Sequence, residues 1–97
     1  MGSYTCLIIE NDPLELDFLQ TVLGPMFQEK GTLLTCRDGV KAAKLAQEHE
    51  PDLILMDIMI PGTEGMDILE QIREILPHCC ISIVTNRAEF RCAQRAI

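Results

Sequence analysis

The sequence predicts an α/β fold built on a parallel sheet, and three observations predict it. Four short apolar runs, at 5–9, 33–36, 53–56 and 81–84, alternate with stretches whose apolar residues recur at helical spacing. The connections between them are a few residues long, which suits strand–helix units joined by right-handed crossovers. Polar residues stand at the ends of the runs, and in open parallel sheets the carboxyl ends of the strands carry ligands and chemistry.

Taken in order, Thr5 to Ile9 reads as a strand ending on Glu10-Asn11-Asp12. Pro13 suits the first turn of a helix with Asp12 as its N-cap, and Leu14, Leu16, Phe18, Leu19, Val22 and Leu23 follow at helical spacing. Gly24-Pro25 is expected to interrupt this helix, leaving Met26 to Lys30 as a separate turn before Gly31. Leu33 to Cys36 is the second strand. Asp38 is the expected N-cap of a helix over Gly39 to Glu48, with Val40, Ala43, Leu45 and Ala46 inward, and Pro51 ends that segment. Leu53 to Met56 is a third, fully buried strand that stops on Asp57. After Pro61-Gly62 a helix is expected over Glu64 to Leu76, with Met66, Ile68, Leu69, Ile72, Ile75 and Leu76 apolar. Ile81 to Val84 is the fourth strand, with Thr85 at its end, and Ala88 to Ile97 reads as a helix with Phe90, Ala93 and Ile97 on one face.

The 97 residues make one domain over 1–97, and 47% apolar content is enough for a core of Leu, Ile, Val, Met and Ala. The net charge of −7 argues against direct nucleic-acid binding, which needs a basic footprint. No apolar run approaches the length that spans a bilayer, and the start lacks the basic region of a signal peptide. The five cysteines, Cys6, Cys36, Cys79, Cys80 and Cys92, show no metal-type spacing and lie in or beside apolar runs. They read as reduced thiols packed as small hydrophobes, and a cytoplasmic protein is expected.

If strands one, three and four are neighbours, Glu10, Asn11, Asp57 and Thr85 converge on one sheet edge. Two carboxylates and an amide oxygen are hard ligands that suit Mg2+. A carboxylate nucleophile beside such a cation can attack a phosphoryl group, and the Thr85 hydroxyl can bond a phosphoryl oxygen. Asp12 is placed as a cap, outside the ligand set. His49 and His78 read as surface residues, and Arg87, Arg91 and Arg95 as a solvated basic stripe.

Three stretches together resemble a known family: Leu7-Ile8-Ile9-Glu10-Asn11-Asp12-Pro13-Leu14, then Asp52-Leu53-Ile54-Leu55-Met56-Asp57-Ile58-Met59-Ile60-Pro61-Gly62-Thr63-Glu64-Gly65, then Ile81-Ser82-Ile83-Val84-Thr85. The chain resembles the receiver domain of two-component response regulators from its first strand to Ile97. The resemblance implies a flavodoxin-like, doubly wound sheet with strand order 2-1-3-4, where periodicity alone gives parallel strand–helix units. It implies that Asp57 is the phosphoacceptor for a phosphohistidine of a sensor histidine kinase, and that Thr85 is the switch hydroxyl. It implies Mg2+ held by Glu10, Asn11, Asp57 and the Met59 backbone carbonyl, with Pro61, Gly62 and Gly65 shaping the site. The domain would catalyse only its own phosphorylation and dephosphorylation, turning over no metabolite, and would control an output domain or effector protein.

The chain departs from the family pattern in three places. Asn11 replaces the second acid of the metal-binding pair, so weaker Mg2+ binding is expected, and a pseudo-receiver interaction module is the alternative function. Asn86 follows Thr85 where the family carries a small residue. Met59 stands where aspartyl-phosphate phosphohydrolases carry a second aspartate, which sets that class aside. The family's fifth strand, its lysine and its fifth helix would lie beyond Ile97. The chain is therefore expected to be part of a longer protein, with the fourth strand and fourth helix exposed. By itself it is expected to be marginally stable, dimeric through that surface, or both.

Overall fold

A computed structural model describes residues 4–28, 31–57 and 65–83. The described elements are β1 (Tyr4–Ile9), α1 (Pro13–Gln28), β2 (Gly31–Cys36), α2 (Gly39–His49), β3 (Leu53–Met56), α3 (Gly65–Ile75) and β4 (Cys80–Ile83). The four strands form one parallel sheet in the order β2-β1-β3-β4, the expected doubly wound topology. The fourth helix expected over 88–97 lies outside the described residues.

Strand alternation divides the core into two layers. Leu7 and Ile9 of β1, with Ile54 and Met56 of β3, face Ala42 and Ala46 of α2 and Ile68 and Ile72 of α3. Cys6 and Ile8 face the other way, against Leu16 of α1, with Leu19, Leu23, Phe27, Leu33, Leu53 and Leu55 packed around them. β1 is central and has no exposed residue from Cys6 to Ile9, so the chain leaving its carboxyl end is anchored on both sides.

Helix α1 corrects one expectation. It runs unbroken to Gln28 with Pro25 inside it. Pro25 removes the N–H that would bond the carbonyl four residues back, a loss of about 3 kcal/mol in a helix interior. Leu23 and Phe27 nevertheless pack on the sheet to either side of Pro25, and that burial carries the helix through. The apolar residues of α1 also divide differently from their spacing. Leu16, Leu19 and Leu23 turn inward, while Leu14, Phe18, Val22 and Met26 form an outward stripe at intervals of four.

Helix α2 starts as expected on Asp38, whose Oδ1 accepts the Val40 N–H at 2.8 Å. Its buried face is Gly39, Ala42 and Ala46, not the expected set, and Val40 is 67% exposed. The cap fixes the helix phase, and the small residues at 42 and 46 let α2 approach the sheet. Leu45 and Ala46 do lie against the core, as expected. Strand β2 begins earlier than expected, at Gly31, where an added Cβ would collide with the Tyr4 carbonyl oxygen and meet Phe27 Cδ1 at 3.0 Å. Strand β4 begins one residue early, at Cys80, and Val84 lies outside the described residues.

The amino edge of the sheet is tied by Asp52, a residue without a role in the sequence reading. Its carboxylate accepts the Thr5 N–H and its own N–H donates to the Thr5 carbonyl, each at 2.8 Å. Its carbonyl accepts the Cys80 N–H at 3.2 Å. Arg73 closes the end of α3 by donating to the Cys79 carbonyl at 2.6 Å.

Among the described residues Cys6, Cys36, Cys79 and Cys80 are free; Cys6 and Cys36 are buried as expected and Cys79 partly so, whereas Cys80 is exposed at the start of the edge strand β4. Burial first, and Cys79 second, push the Cys6 thiol up to about 11. His49 and His78 are exposed, as expected. No described helix is long and apolar enough to cross a membrane.

Glu50 ends α2 in the left-handed region, with φ 45 and ψ 59, and its N–H donates to the Ala46 carbonyl at 2.9 Å. Glycine adopts this conformation without the steric cost of a Cβ. Glu50→Gly should therefore stabilise the fold by roughly 1 kcal/mol, seen as a melting temperature higher by about 4–8 °C for a domain of this size. A lower melting temperature would show that the Glu50 side chain contributes more than its backbone strain costs.

Candidate functional site

The candidate site is built by the sheet before any side chain is considered. The parallel ladder continues one residue past the strand ends. The Glu10 N–H donates to the Cys36 carbonyl of β2, and the Asp57 N–H donates to the Ile9 carbonyl of β1, each at 2.9 Å. Both acids therefore leave the carboxyl edge of the sheet from hydrogen-bonded backbone positions on adjacent strands.

Glu10 is 3% exposed and is the buried charged residue among the described ones. Two groups act on its carboxyl. The Asp12 N–H donates to Glu10 Oε1 at 3.0 Å, and the Asp57 carboxyl lies close enough to act on it. Burial, above all, raises Glu10 from 4.5 to about 7; the Asp12 N–H opposes the rise, and Asp57 and Glu15 add to it. The metal-free site thus sets two carboxyl groups side by side, and Glu10 holds its proton more tightly than a free carboxyl does, because burial and like charge both disfavour its anion.

The site's loop is fixed from the other side by α1. Asp12 Oδ1 accepts the Leu14 N–H at 3.0 Å, and the Asp12 carbonyl accepts the Leu16 N–H at 2.9 Å. Asp12 is the N-cap that the sequence predicts. Its backbone contact with Glu10 was not legible there. Asn11 lies between the two in the exposed loop.

Of the expected site residues, the structure brings together Glu10 and Asp57, with Asn11 beside them in the chain. Met59, Pro61, Gly62 and Thr85 lie outside the described residues, and Gly65 is the first residue of α3. Among the described residues no group of three or more His, Cys, Asp or Glu side chains could hold a metal ion. The pair of acids still fits a hard cation that keeps most of its waters, because Mg2+ is commonly held by one or two carboxylates. A divalent charge would also relieve the repulsion between the two carboxyl groups.

Fold and site define a class: a parallel α/β domain carrying paired carboxylates at the carboxyl edge of its two central strands. The sequence profile described as "Response regulator receiver domain" matches residues 6–97. The chain belongs to that family, the response regulator receiver domains of two-component systems. Over 59 residues it is 36% identical to the transcriptional regulatory protein HptR of Staphylococcus aureus, a match covering 61% of this chain and 23% of that protein. The signal receiver domain of an HD domain-containing protein from Pseudomonas fluorescens superposes with a TM-score of 0.81 at 24% identity, covering 100% of this chain and 69% of the other. The receiver domain of the sensor histidine kinase PA1611 from Pseudomonas aeruginosa, solved with magnesium in its active-site cleft, gives 0.77 at 24% identity, covering 89% and 70%. At these identities the two structures establish the fold.

The carboxyl pair has a pH signature in the metal-free protein. A carboxyl held above its unfolded value favours the folded state where it is protonated. That stability is fully present below about pH 4.5 and is lost as the pH rises through about 7. The slope cannot exceed about 1.4 kcal/mol per pH unit for one proton. In chelator, melts of the wild type should lose stability relative to Glu10→Gln across this interval. A difference that does not change with pH would contradict the raised value.

Proposed function

We propose that this domain is a phosphorylated switch, with Asp57 taking a phosphoryl group from a phosphohistidine of a sensor histidine kinase. The observation that carries this reading is the juxtaposition of Glu10 and Asp57 at the carboxyl edge of the central strands, each set there by a backbone ladder bond. The Asp57 carboxylate attacks phosphorus, the O–P bond forms, the N–P bond of the phosphohistidine breaks, and the imidazole leaves with the bonding pair. Mg2+ would supply neutralisation of charge on the oxygens being transferred. Glu10, Asn11, Asp57 and the Met59 carbonyl are the residues that would hold it. Ladder bonds at Glu10 and Asp57 orient these carboxylates before the cation arrives. Thr85 is the proposed hydroxyl for a phosphoryl oxygen.

The domain would catalyse only its own phosphorylation and dephosphorylation. The HptR match spans under a quarter of that relative. An output domain or effector protein, the kinase and a cytoplasmic location are accordingly parts of the proposal. So is a dimer through the surface of β4, an edge strand among the described residues, where Ile83 is 45% exposed. A pseudo-receiver is the second reading, favoured by Asn11, which supplies no charge where the family carries an acid.

Acetyl phosphate with Mg2+ should add one phosphoryl mass to the protein, and Asp57→Ala should abolish the gain. A gain that survives this substitution would refute the assignment of Asp57. No gain in the wild type would leave the pseudo-receiver reading in its place. Asn11→Asp should tighten Mg2+ binding by roughly tenfold, because affinity for hard cations rises with the number of charged ligands. Unchanged affinity on calorimetric titration would place residue 11 outside the metal's coordination.

A further inference from the structure

We infer that Asp12 is a positioning residue for the site: by capping α1 it holds its own backbone N–H against the carboxylate of Glu10. The inference rests on the receiver reading for the meaning of Glu10 and on four bonds for its geometry. Asp12 is fixed in three ways at once. Its N–H donates to Glu10 Oε1 at 3.0 Å, its Oδ1 accepts the Leu14 N–H at 3.0 Å, and its carbonyl accepts the Leu16 N–H at 2.9 Å. Glu10 is itself tied to Cys36 through its own N–H. The chain 10–12 is thus pinned at one end by the sheet and at the other by the helix, and the Glu10 side chain is bonded back across it.

Pro13 strengthens the arrangement. A residue before proline is kept from helical angles, which is the conformation an N-cap needs. Asp12 cannot drift into the helix, so its N–H stays outside α1's own bonding and remains available to Glu10. The consequence is mechanical. The Asp12 side chain faces Leu14, and the Asp12 amide faces the site. Losing the first releases the second.

Asp38 supplies the internal comparison. It caps α2 through the same side-chain bond, Oδ1 to the Val40 N–H at 2.8 Å. Its described backbone bonds run to α2 and to the Cys36 thiol, not to Glu10. Loss of either cap costs stability, whereas loss of the Asp12 cap also frees a site carboxylate.

The test compares Asp12→Ala, Asp12→Asn and Asp38→Ala with the wild type, using Mg2+ as the probe and the Asp57 amide resonance as the readout. Groups that orient metal ligands without touching the metal commonly change affinity by 10-fold or more, so Asp12→Ala should weaken Mg2+ binding by about tenfold. Asp12→Asn keeps a good cap without the charge and should stay within about twofold of the wild type. Asp38→Ala should lose a similar amount of melting temperature and keep its Mg2+ affinity. Wild-type affinity in Asp12→Ala would overturn the inference. So would equal losses in the alanine and asparagine variants, which would assign the effect to charge, or equal losses in Asp12→Ala and Asp38→Ala, which would assign it to stability alone. Hydrogen exchange at the residue-12 amide decides the matter without metal. It should be slow in the wild type and in Asp12→Asn and fast in Asp12→Ala, and uniform exchange would overturn the inference. A wild type that binds no Mg2+ but shows that exchange pattern would sink the phosphorylated-switch reading and leave the positioning intact.

Discussion

Two acidic side chains set side by side at the carboxyl edge of the sheet, Glu10 buried and Asp57 half-buried, are the constraint on which the rest of this structure depends. Glu10 and Asp57 leave adjacent strands from hydrogen-bonded backbone positions and cannot move apart without breaking the ladder. Two bare carboxylates there would repel, and burial with that repulsion raises Glu10 to about 7. The buried β1, the phase of the strands and the cap of α1 all keep this pair at the carboxyl edge. Two core layers account for most of the burial, and they also make the edge rigid enough to oppose its own charge.

The same constraint explains why the site is suited to signalling. A pair of acids that needs a counter-charge responds when one is supplied or altered. On the proposed reading, phosphorylation would change both charge and shape at Asp57, and the groups fixed around it have little freedom to absorb such a change locally. The backbone links from Glu10 to β2, and through Asp12 to α1, are routes by which a rearrangement at the edge would be felt in neighbouring elements.

Much of the fold was legible because its signals are periodic. Four apolar runs became four parallel strands, and Asp12 and Asp38 capped helices as their positions imply. The strand order came from the family resemblance, since alternation cannot say which strand is central. Errors arose where packing overrode local preference. Pro25 reads as a break, yet Phe27 beyond it finds the sheet. Val40 reads as core, yet the cap turns it outward and small alanines take the contact. At the site, Glu10 and Asp57 were legible as polar residues ending apolar strands. The Asp12 amide was not, because a backbone N–H has no sequence signature, and neither was the tie made by Asp52 across the opposite edge.

The most direct measurement is a crystal structure grown with Mg2+ and beryllium trifluoride, a mimic of the phosphoryl group. The account predicts the mimic on an Asp57 carboxylate oxygen and a cation about 2.0–2.1 Å from oxygens of Glu10 and Asp57, the distance expected for Mg2+. No cation at the carboxyl edge and no mimic on Asp57 would contradict it.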